Sequence, residues 1–259
     1  MYARPGAPTA STALSHPSAG FTPKTLRNSA PGPPSGIILR HSALIPSASV
    51  DNIFLFIIEV IGTFAFAISG IRLAAFHRFD WFGAYTVGLV TAIGGGSLRD
   101  ILLDIPVFWM QTWWYIAVTG LSLIVVIVFR RILVKTRVLF LFDTIGLALF
   151  VVIGIQKTLA VDYPFWVAVI MGITTGALGG VLRDILVNNE PLLFQKDIYA
   201  TACLAGGLVY WVAYSCDWSM PTQGIACAVT VIAMRLLAVR YSWSLPVLVD
   251  IDENTGNKV

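Results

Sequence analysis

Residues Gly94–Leu102 read Gly-Gly-Gly-Ser-Leu-Arg-Asp-Ile-Leu and close a long apolar run. A second version of this stretch, Leu178–Leu186, lies downstream and reads Leu-Gly-Gly-Val-Leu-Arg-Asp-Ile-Leu. Each version joins glycines, which weaken a helix, to an arginine and an aspartate. The fold and the function of the chain therefore depend on how these two segments are arranged.

The composition is that of a membrane protein. Of the 259 residues, 57% are hydrophobic and only 12% are charged, whereas about a quarter of the residues in soluble domains are charged. So few charges could not cover the surface of a soluble globule. The net charge of +3 is too small to indicate a nucleic-acid partner, so the expected environment is the lipid bilayer.

Seven apolar runs follow residue 50, and most approach the roughly 20 residues that span a hydrocarbon core as a helix. A backbone in lipid must satisfy its own hydrogen bonds, so each run is predicted to be helical. The predicted fold class is therefore all-α, a polytopic membrane protein with seven transmembrane helices. The runs are Ile53–Ile71, Trp81–Leu103, Trp113–Phe129, Val138–Ile155, Pro164–Val187, Ile198–Tyr214 and Gln223–Val239.

The flanks of these runs predict the orientation. Residues 1–50 are rich in Pro and Ser and contain no acid, which predicts a disordered leader or, alternatively, an organelle transit peptide. Most loop cations fall on one side of the seven spans, which predicts an outside N-terminus and a cytoplasmic tail, residues 241–259. We expect Lys157 to face solvent in an outer turn and Arg235 to snorkel to the inner interface.

The chain contains an internal repeat. One constant shift, which places Gly94 on Leu178, aligns three spans on the next three without a gap. Three is an odd number, so the second unit enters the membrane from the opposite side, as in inverted-repeat transport proteins. The predicted units are residues 51–135 and 136–219, and the seventh helix, residues 220–240, is an addition. The matched positions, which we call repeat-equivalent, include Glu59 and Asp143, Gly62 and Gly146, Gly88 and Gly172, Gly95 and Gly179, Arg99 and Arg183, Asp100 and Asp184, and Tyr115 and Tyr199.

The glycines Gly94, Gly95 and Gly96, and their counterparts Gly179 and Gly180, have two interpretations. Each costs a helix roughly 1 kcal/mol relative to alanine, so a kink or break is predicted, with freed backbone groups and Ser97 lining a water-filled path. Alternatively, small residues allow two helices to pack closely. The sequence leaves both interpretations open.

Ionisable residues follow both glycine segments, as Arg99 and Asp100 and as Arg183 and Asp184. Such groups are costly at membrane depth unless they are paired or hydrated. The predicted depths match in pairs, so we hypothesise that Glu59 meets Arg99, or a hydrated cavity beside it, and that Asp143 meets Arg183. The alternative is that each Arg-Asp pair only locks a helix end, with Asp100 and Asp184 in local bonds.

The chain lacks the motifs of common enzymes and metal sites. Cys203, Cys216 and Cys227 show no metal-ligand spacing, and the sequence has no Gly-x-Ser-x-Gly, Cys-x-x-Cys or zinc-type His motif. These motifs place nucleophiles, redox thiols and metal ligands at fixed distances. No enzyme activity, resident cofactor or metal site is therefore predicted.

Together, the motif at Gly94–Asp100, its echo at Gly179–Asp184 and an opening helix with Glu59 and Gly62 resemble a known family. It is the prokaryotic branch of the trimeric intracellular cation (TRIC) channels, also described as glycine-transporter-domain membrane proteins. The resemblance covers about Val50 to Arg240.

The resemblance implies a homotrimer in a bacterial plasma membrane, or in an organelle membrane if the leader is a transit peptide. It implies one pore per protomer for monovalent cations, chiefly K⁺ with Na⁺ also possible. The pore would be shaped by kinks in the second and fifth helices at the glycines named above, with Ser97. A carrier for glycine or another small amino acid, and a scaffold without transport activity, are the alternatives.

Overall fold

The computed structural model describes residues 50–133, 136–194 and 198–243. The predicted leader and most of the predicted tail lie outside these residues. In the described part all regular structure is helical, and a 3₁₀ turn occupies Leu192–Phe194. The α-helices are α1 Val50–Phe76, α2 Trp81–Leu102, α3 Phe108–Gln111, α4 Trp114–Val128, α5 Arg130–Leu133, α6 Thr136–Leu159, α7 Phe165–Leu186, α8 Ala200–Ser215 and α9 Met220–Tyr241.

Each of the seven predicted apolar runs corresponds to one helix, and α1, α6 and α9 extend beyond their runs at both ends. Four of them, α1, α6, α7 and α9, are long and apolar enough to cross a membrane, and α4 and α8 are shorter apolar helices. The short helices α3 and α5 were not predicted, because so short a helix shows no periodic pattern. The chain is a helical membrane protein.

Local signals explain where two of the long helices begin. Asp80 precedes α2, and its Oδ1 accepts a hydrogen bond of 2.7 Å from the Gly83 backbone N–H, which satisfies a donor that the first turn leaves free. In α9, Pro221 lies in the first turn, where its missing N–H costs nothing.

The two repeat units pack in the same way. Helix α1 contacts α2 and α4, and their counterparts α6, α7 and α8 make the same set of contacts. The turns repeat as well, since positive φ angles recur at two repeat-equivalent pairs, Arg78 (61°) with Asp162 (61°) and Asp104 (53°) with Asn188 (56°). Asp and Asn adopt this left-handed conformation more readily than other non-glycine residues. The alignment found in the sequence thus extends to turn geometry.

The core lies where α1 meets α6. Phe66 and Phe150, which are repeat-equivalent, stack with ring centroids 5.2 Å apart and are 1% and 3% exposed. A side chain on Gly62 would contact the Phe150 ring, and one on Gly146 would overlap the Phe66 ring. The contacts are therefore reciprocal between the units. Helix α9, which has no counterpart, packs on α6 and α8.

Candidate functional site

A buried ionic cluster joins three helices around Asp143. The Oδ1 atom of Asp143 on α6 lies 2.6 Å from Nη1 of Arg183 on α7, and its Oδ2 atom lies 3.2 Å from Nη2 of Arg235 on α9. All three side chains are at most 2% exposed. One carboxylate therefore serves two guanidinium groups, with both of its oxygens engaged.

Further partners complete this cluster, which we call the Asp143 cluster. Arg183 donates through Nη1 to the Ser69 hydroxyl at 2.6 Å and through Nε to Asp184 at 2.8 Å. Arg235 donates to the Thr144 hydroxyl at 3.2 Å, and its guanidinium lies 4.5 Å from the centroid of the Tyr199 ring. Such charge-assisted bonds compensate for the cost of removing the guanidinium groups from water.

The repeat-equivalent charges form a looser arrangement, which we call the Glu59 cluster. Glu59 on α1 pairs with Lys157 on α6 at 2.8 Å and accepts a hydrogen bond of 2.9 Å from the Tyr115 hydroxyl. Lys157 and Glu59 are 27% and 14% exposed. Arg99 is bound to Asp100 at 2.6 Å, but its buried Nη1 atom has no hydrogen-bond partner in the described part of the chain.

Of the two predicted ion pairs, one is confirmed and one is wrong. Asp143 contacts Arg183 as expected. Glu59 contacts Lys157 instead of Arg99, because α6 extends to Leu159 and so keeps Lys157 in its last turn, where the long side chain reaches α1. Lys157 was expected to face solvent, and that expectation is also wrong in part.

The expectation for Arg235 is wrong. Arg235 was expected to snorkel to the interface, but it is 2% exposed and points into the protein toward Asp143. When its position on the helix allows it, a guanidinium forms an ion pair with a buried carboxylate, since burying a paired charge at membrane depth costs less free energy than burying an unpaired one.

Each Arg-Asp pair also holds the chain that follows its helix. Oδ2 of Asp100 accepts from the Phe108 backbone N–H at 2.9 Å, and Oδ2 of Asp184 accepts from the Leu192 N–H at 3.2 Å. Each bond joins residues eight positions apart, and the two bonds lie at repeat-equivalent positions. The local bonds that the alternative expected are therefore present at both helix ends. At Arg183 they occur together with the ion pair to Asp143, so locking the helix end is not the only role of that pair.

Of the predicted kink or break in the glycine helices, the break is not present, and the kink stays a prediction. Helix α2 continues through Gly94–Gly96 and α7 through Gly179 and Gly180 without interruption. Ser97 donates to the Ile93 carbonyl and accepts from the indole N–H of Trp109. Its hydroxyl is thus already occupied.

The close-packing interpretation of the glycines is confirmed. A methyl group on Gly95 of α2 would overlap the Thr175 carbonyl of α7, and a methyl group on Gly179 of α7 would overlap the Thr91 carbonyl of α2. Gly95 and Gly179 are repeat-equivalent, and so are Thr91 and Thr175. At this point, the α2–α7 crossing, the two backbones touch directly, which only glycine permits.

The neighbouring glycines accommodate side chains. A methyl group on Gly94 would meet Leu182, and one on Gly96 would lie 2.6 Å from the Phe108 ring. One on Gly180 would lie 2.8 Å from the Tyr199 hydroxyl. These three positions therefore pack against side chains rather than against backbone.

The orientation of α1 and α6 follows from the two clusters. Glu59, in the first half of α1, contacts the end of α6 at Lys157. Ser69, in the second half of α1, and Asp143, near the start of α6, bind the same Arg183 nitrogen. Helices α1 and α6 are therefore antiparallel, and the clusters lie in opposite halves of the bundle, about 15 Å or more apart along the helices. We call these halves the Glu59 end and the Asp143 end.

Several partners in these clusters were not predicted from the sequence, namely Ser69, Thr144 and the contacts of Lys157. A single hydroxyl in an apolar span gives little signal, since it also bonds to its own helix backbone. The repeat did identify Tyr115 and Tyr199 as matched positions. The Tyr115 hydroxyl binds Glu59, whereas the Tyr199 hydroxyl has no hydrogen-bond partner among the described residues.

The described residues form a cleft beside the Asp143 cluster and contain no candidate metal centre. A cleft of about 400 Å³ opens at the Asp143 end, and its lining includes Arg183, Asp184 and Asn189. No group of three or more His, Cys, Asp or Glu residues that could hold a metal ion occurs in residues 50–133, 136–194 and 198–243. The chemistry available is that of ion pairs, backbone carbonyls and hydroxyl groups.

Known proteins share the sequence and the fold. The family model described as glycine transporter matches residues 56–131 and again residues 140–215, and the two matches are offset by the same shift as the repeat. The UPF0126 membrane protein of Vibrio cholerae is 36% identical over 89% of this chain and 97% of its own length. The UPF0126 inner membrane protein YadS of Escherichia coli is 39% identical over 76% of this chain and 97% of its own length.

The fold has also been seen in a channel. The structure of the TRIC trimeric intracellular cation channel orthologue from Rhodobacter sphaeroides superposes with a TM-score of 0.69 at 26% identity, covering 73% of this chain and 98% of that one. The family-model matches cover both repeat units. The chain therefore belongs to the glycine transporter (UPF0126) family of membrane proteins and shares its fold with the TRIC channels.

Proposed function

We propose that the chain is a passive channel for monovalent cations, with K⁺ as the chief permeating ion and Na⁺ as a second. We further propose a homotrimer in which each protomer has its own pore. The likeness to a trimeric cation channel over nearly that channel's whole length supports both proposals.

In this proposal α1, α2, α4, α6, α7, α8 and α9 cross the membrane, and the two units form an inverted repeat. The antiparallel α1 and α6 and the reciprocal contacts of Gly62 and Gly146 support the inversion. The excess of loop cations on one side favours an outside N-terminus. The Escherichia coli relative is an inner membrane protein, which favours the bacterial inner membrane.

The observation that carries the proposal is the α2–α7 crossing. Two helices with consecutive glycines meet there backbone to backbone, and each presents a carbonyl to the other at Thr91 and Thr175. If the helices separate, water and cations gain access to these carbonyls, which can replace part of an ion's hydration shell. The contact seen here corresponds to the closed state, and the ion route passes along Gly94–Ser97 and Gly179–Gly180 when it opens.

Gly95→Ala tests this proposal, with Gly120→Ala as the matched control. A methyl group on Gly95 would overlap the Thr175 carbonyl, whereas nothing lies within 4 Å of a methyl group on Gly120 in α4. Overpacking of this kind costs about 1–3 kcal/mol, which would fall on the closed state alone. The expected result is a rise of about 5-fold to 150-fold in the ratio of open to closed channels in single-channel K⁺ recordings from planar bilayers.

The recordings also separate the alternatives. Saturable glycine uptake into liposomes without ion current would refute the channel and support a glycine carrier, the activity that the family description names. If the folded protein shows neither ion current nor glycine uptake, a scaffold without transport activity is the remaining alternative. Equal open probabilities for the Gly95 and Gly120 variants would mean that the α2–α7 crossing is not the gate.

A further inference from the structure

The two ends of the bundle are held unequally, although their sequences are related by the repeat. At the Asp143 end a single carboxylate ties α6 to α7 and α9, and Ser69 adds α1. At the Glu59 end the equivalent arginine, Arg99, forms its one ion pair within the described residues with its neighbour Asp100, and its guanidinium lies 5.7 Å from the centroid of the Phe108 ring. We propose that Arg235 is a positioning residue that fixes the Asp143 end, so that the molecule opens first at the Glu59 end.

The cause of this inequality lies in three differences between the repeat units. Ser69, which accepts a hydrogen bond from Arg183, corresponds to Ile153, a buried aliphatic residue. Asp143 corresponds to the longer Glu59, which turns to Lys157. Arg235 lies on α9, outside the repeat, and has no counterpart. Each difference removes a partner from Arg99 or adds one to Asp143.

The solvent exposure of the two clusters also supports earlier opening at the Glu59 end. The side chains of the Arg183–Asp143, Arg235–Asp143 and Arg99–Asp100 pairs are all at most 2% exposed. Lys157 and Glu59 are 27% and 14% exposed, so among these pairs only the one at the Glu59 end formed by Lys157 and Glu59 is partly open to water. Breaking a fully buried pair leaves charges stranded in a low-dielectric interior, and breaking a partly exposed pair does not. The buried Nη1 atom of Arg99 lacks a hydrogen-bond partner in the described ranges. A movement that brings it a partner or admits water therefore lowers the free energy of the opened state. The free energy of local opening is therefore lower at the Glu59 end.

Hydrogen exchange read by mass spectrometry tests the inference on the full chain in lipid nanodiscs. Two backbone amides report on the two ends, because Phe108 N–H is held by Asp100 and Leu192 N–H by Asp184. Peptides that cover residues 99–111 and 183–194 therefore follow the Glu59 end and the Asp143 end separately.

The first comparison is Ile153→Thr against Ile153→Val. Threonine and valine have the same shape, so the pair differs only in a hydroxyl at the position equivalent to Ser69. If that hydroxyl gives Arg99 the partner it lacks, exchange in residues 99–111 slows about tenfold in the threonine variant relative to the valine variant. Exchange in residues 183–194 stays equal in the two variants. Equal exchange at the Glu59 end would overturn the proposal.

The second comparison is Arg235→Met with Arg235→Lys as the conservative variant. The methionine variant frees one oxygen of Asp143, so exchange in residues 183–194 rises about tenfold while residues 99–111 are unchanged. Lysine keeps a cation near Asp143 and restores most of the protection. Equal acceleration at both ends, or none at the Asp143 end, would refute a positioning role for Arg235.

The order of opening rests on the proposed channel function, and the two can fail separately. The exchange experiment needs no ion current, so a protein that does not conduct but shows both end-specific effects would refute the channel and support the unequal ends. A conducting protein without these effects would refute the unequal ends alone.

Discussion

Removal of the Asp143 carboxylate is the most informative single change in this protein, because the repeat supplies its own control. Asp143→Asn leaves Arg183 and Arg235 without their shared anion in a region that is at most 2% exposed. Glu59→Gln makes the same chemical change at the equivalent position. That change affects Lys157, which is 27% exposed.

The structure sets the size of the difference. Removing one partner of a buried ion pair costs about 3–5 kcal/mol, and we expect about 3 kcal/mol for Asp143→Asn because Arg183 keeps Asp184 and Arg235 keeps Thr144. Breaking a partly exposed pair costs at most about 1 kcal/mol. The two variants should therefore differ by about 2 kcal/mol, or roughly 30-fold in the unfolding equilibrium.

The assay is reversible unfolding in mixed micelles with increasing sodium dodecyl sulfate, followed by circular dichroism. Adding Arg235→Met to Asp143→Asn removes one stranded charge, so the double variant should regain about 1 kcal/mol or more. If Asp143→Asn and Glu59→Gln lose the same stability, the distinction between a buried and a partly exposed cluster is wrong. If the double variant is worse than the sum of its parts, Arg235 does more than neutralise Asp143.

Two further outcomes follow from the packing of the described residues. Phe66→Ala and Phe150→Ala should each cost about 3–5 kcal/mol in the same unfolding assay, because the two rings stack and are almost fully buried; a loss below about 1 kcal/mol for either would contradict the reciprocal core. In the folded protein a water-soluble maleimide should modify Cys216, which is exposed, and spare Cys203 and Cys227, which are buried. Rapid modification of either buried cysteine, read by intact mass, would mean that α8 and α9 separate in solution.

The sequence predicted the helices well because their signal is physical and repeated. Apolar runs of this length cannot satisfy their backbone groups in lipid in any other way than as helices. The contact between Asp143 and Arg183 was also predictable, since a short carboxylate and a guanidinium at the same depth have little freedom. A long side chain such as that of Glu59 or Lys157 can reach several partners, so its partner depends on helix packing that the sequence does not specify.

The glycines show a different limit. A missing Cβ atom both weakens a helix and lets another backbone approach, so the same letters predict a break and a close contact. The contact of Gly95 with the Thr175 carbonyl decides between them, because it needs a second helix to be in place. Only the three-dimensional arrangement of α2 and α7 could supply that information.

The reciprocal crossing limits how the proposed pore can open. Gly95 touches Thr175 and Gly179 touches Thr91, so a movement that frees one carbonyl frees the other, and the two helices cannot open independently. Tightly packed backbones of this kind change between discrete arrangements rather than deforming gradually. In the described part of the chain the end of α2 is held through Arg99 and Asp100, and that of α7 through a network that includes α9. We therefore expect α2 to separate from a fixed α7 at the crossing, which makes the crossing the gate. Arg99, which has fewer partners than Arg183, should be the first of the two arginines to rearrange.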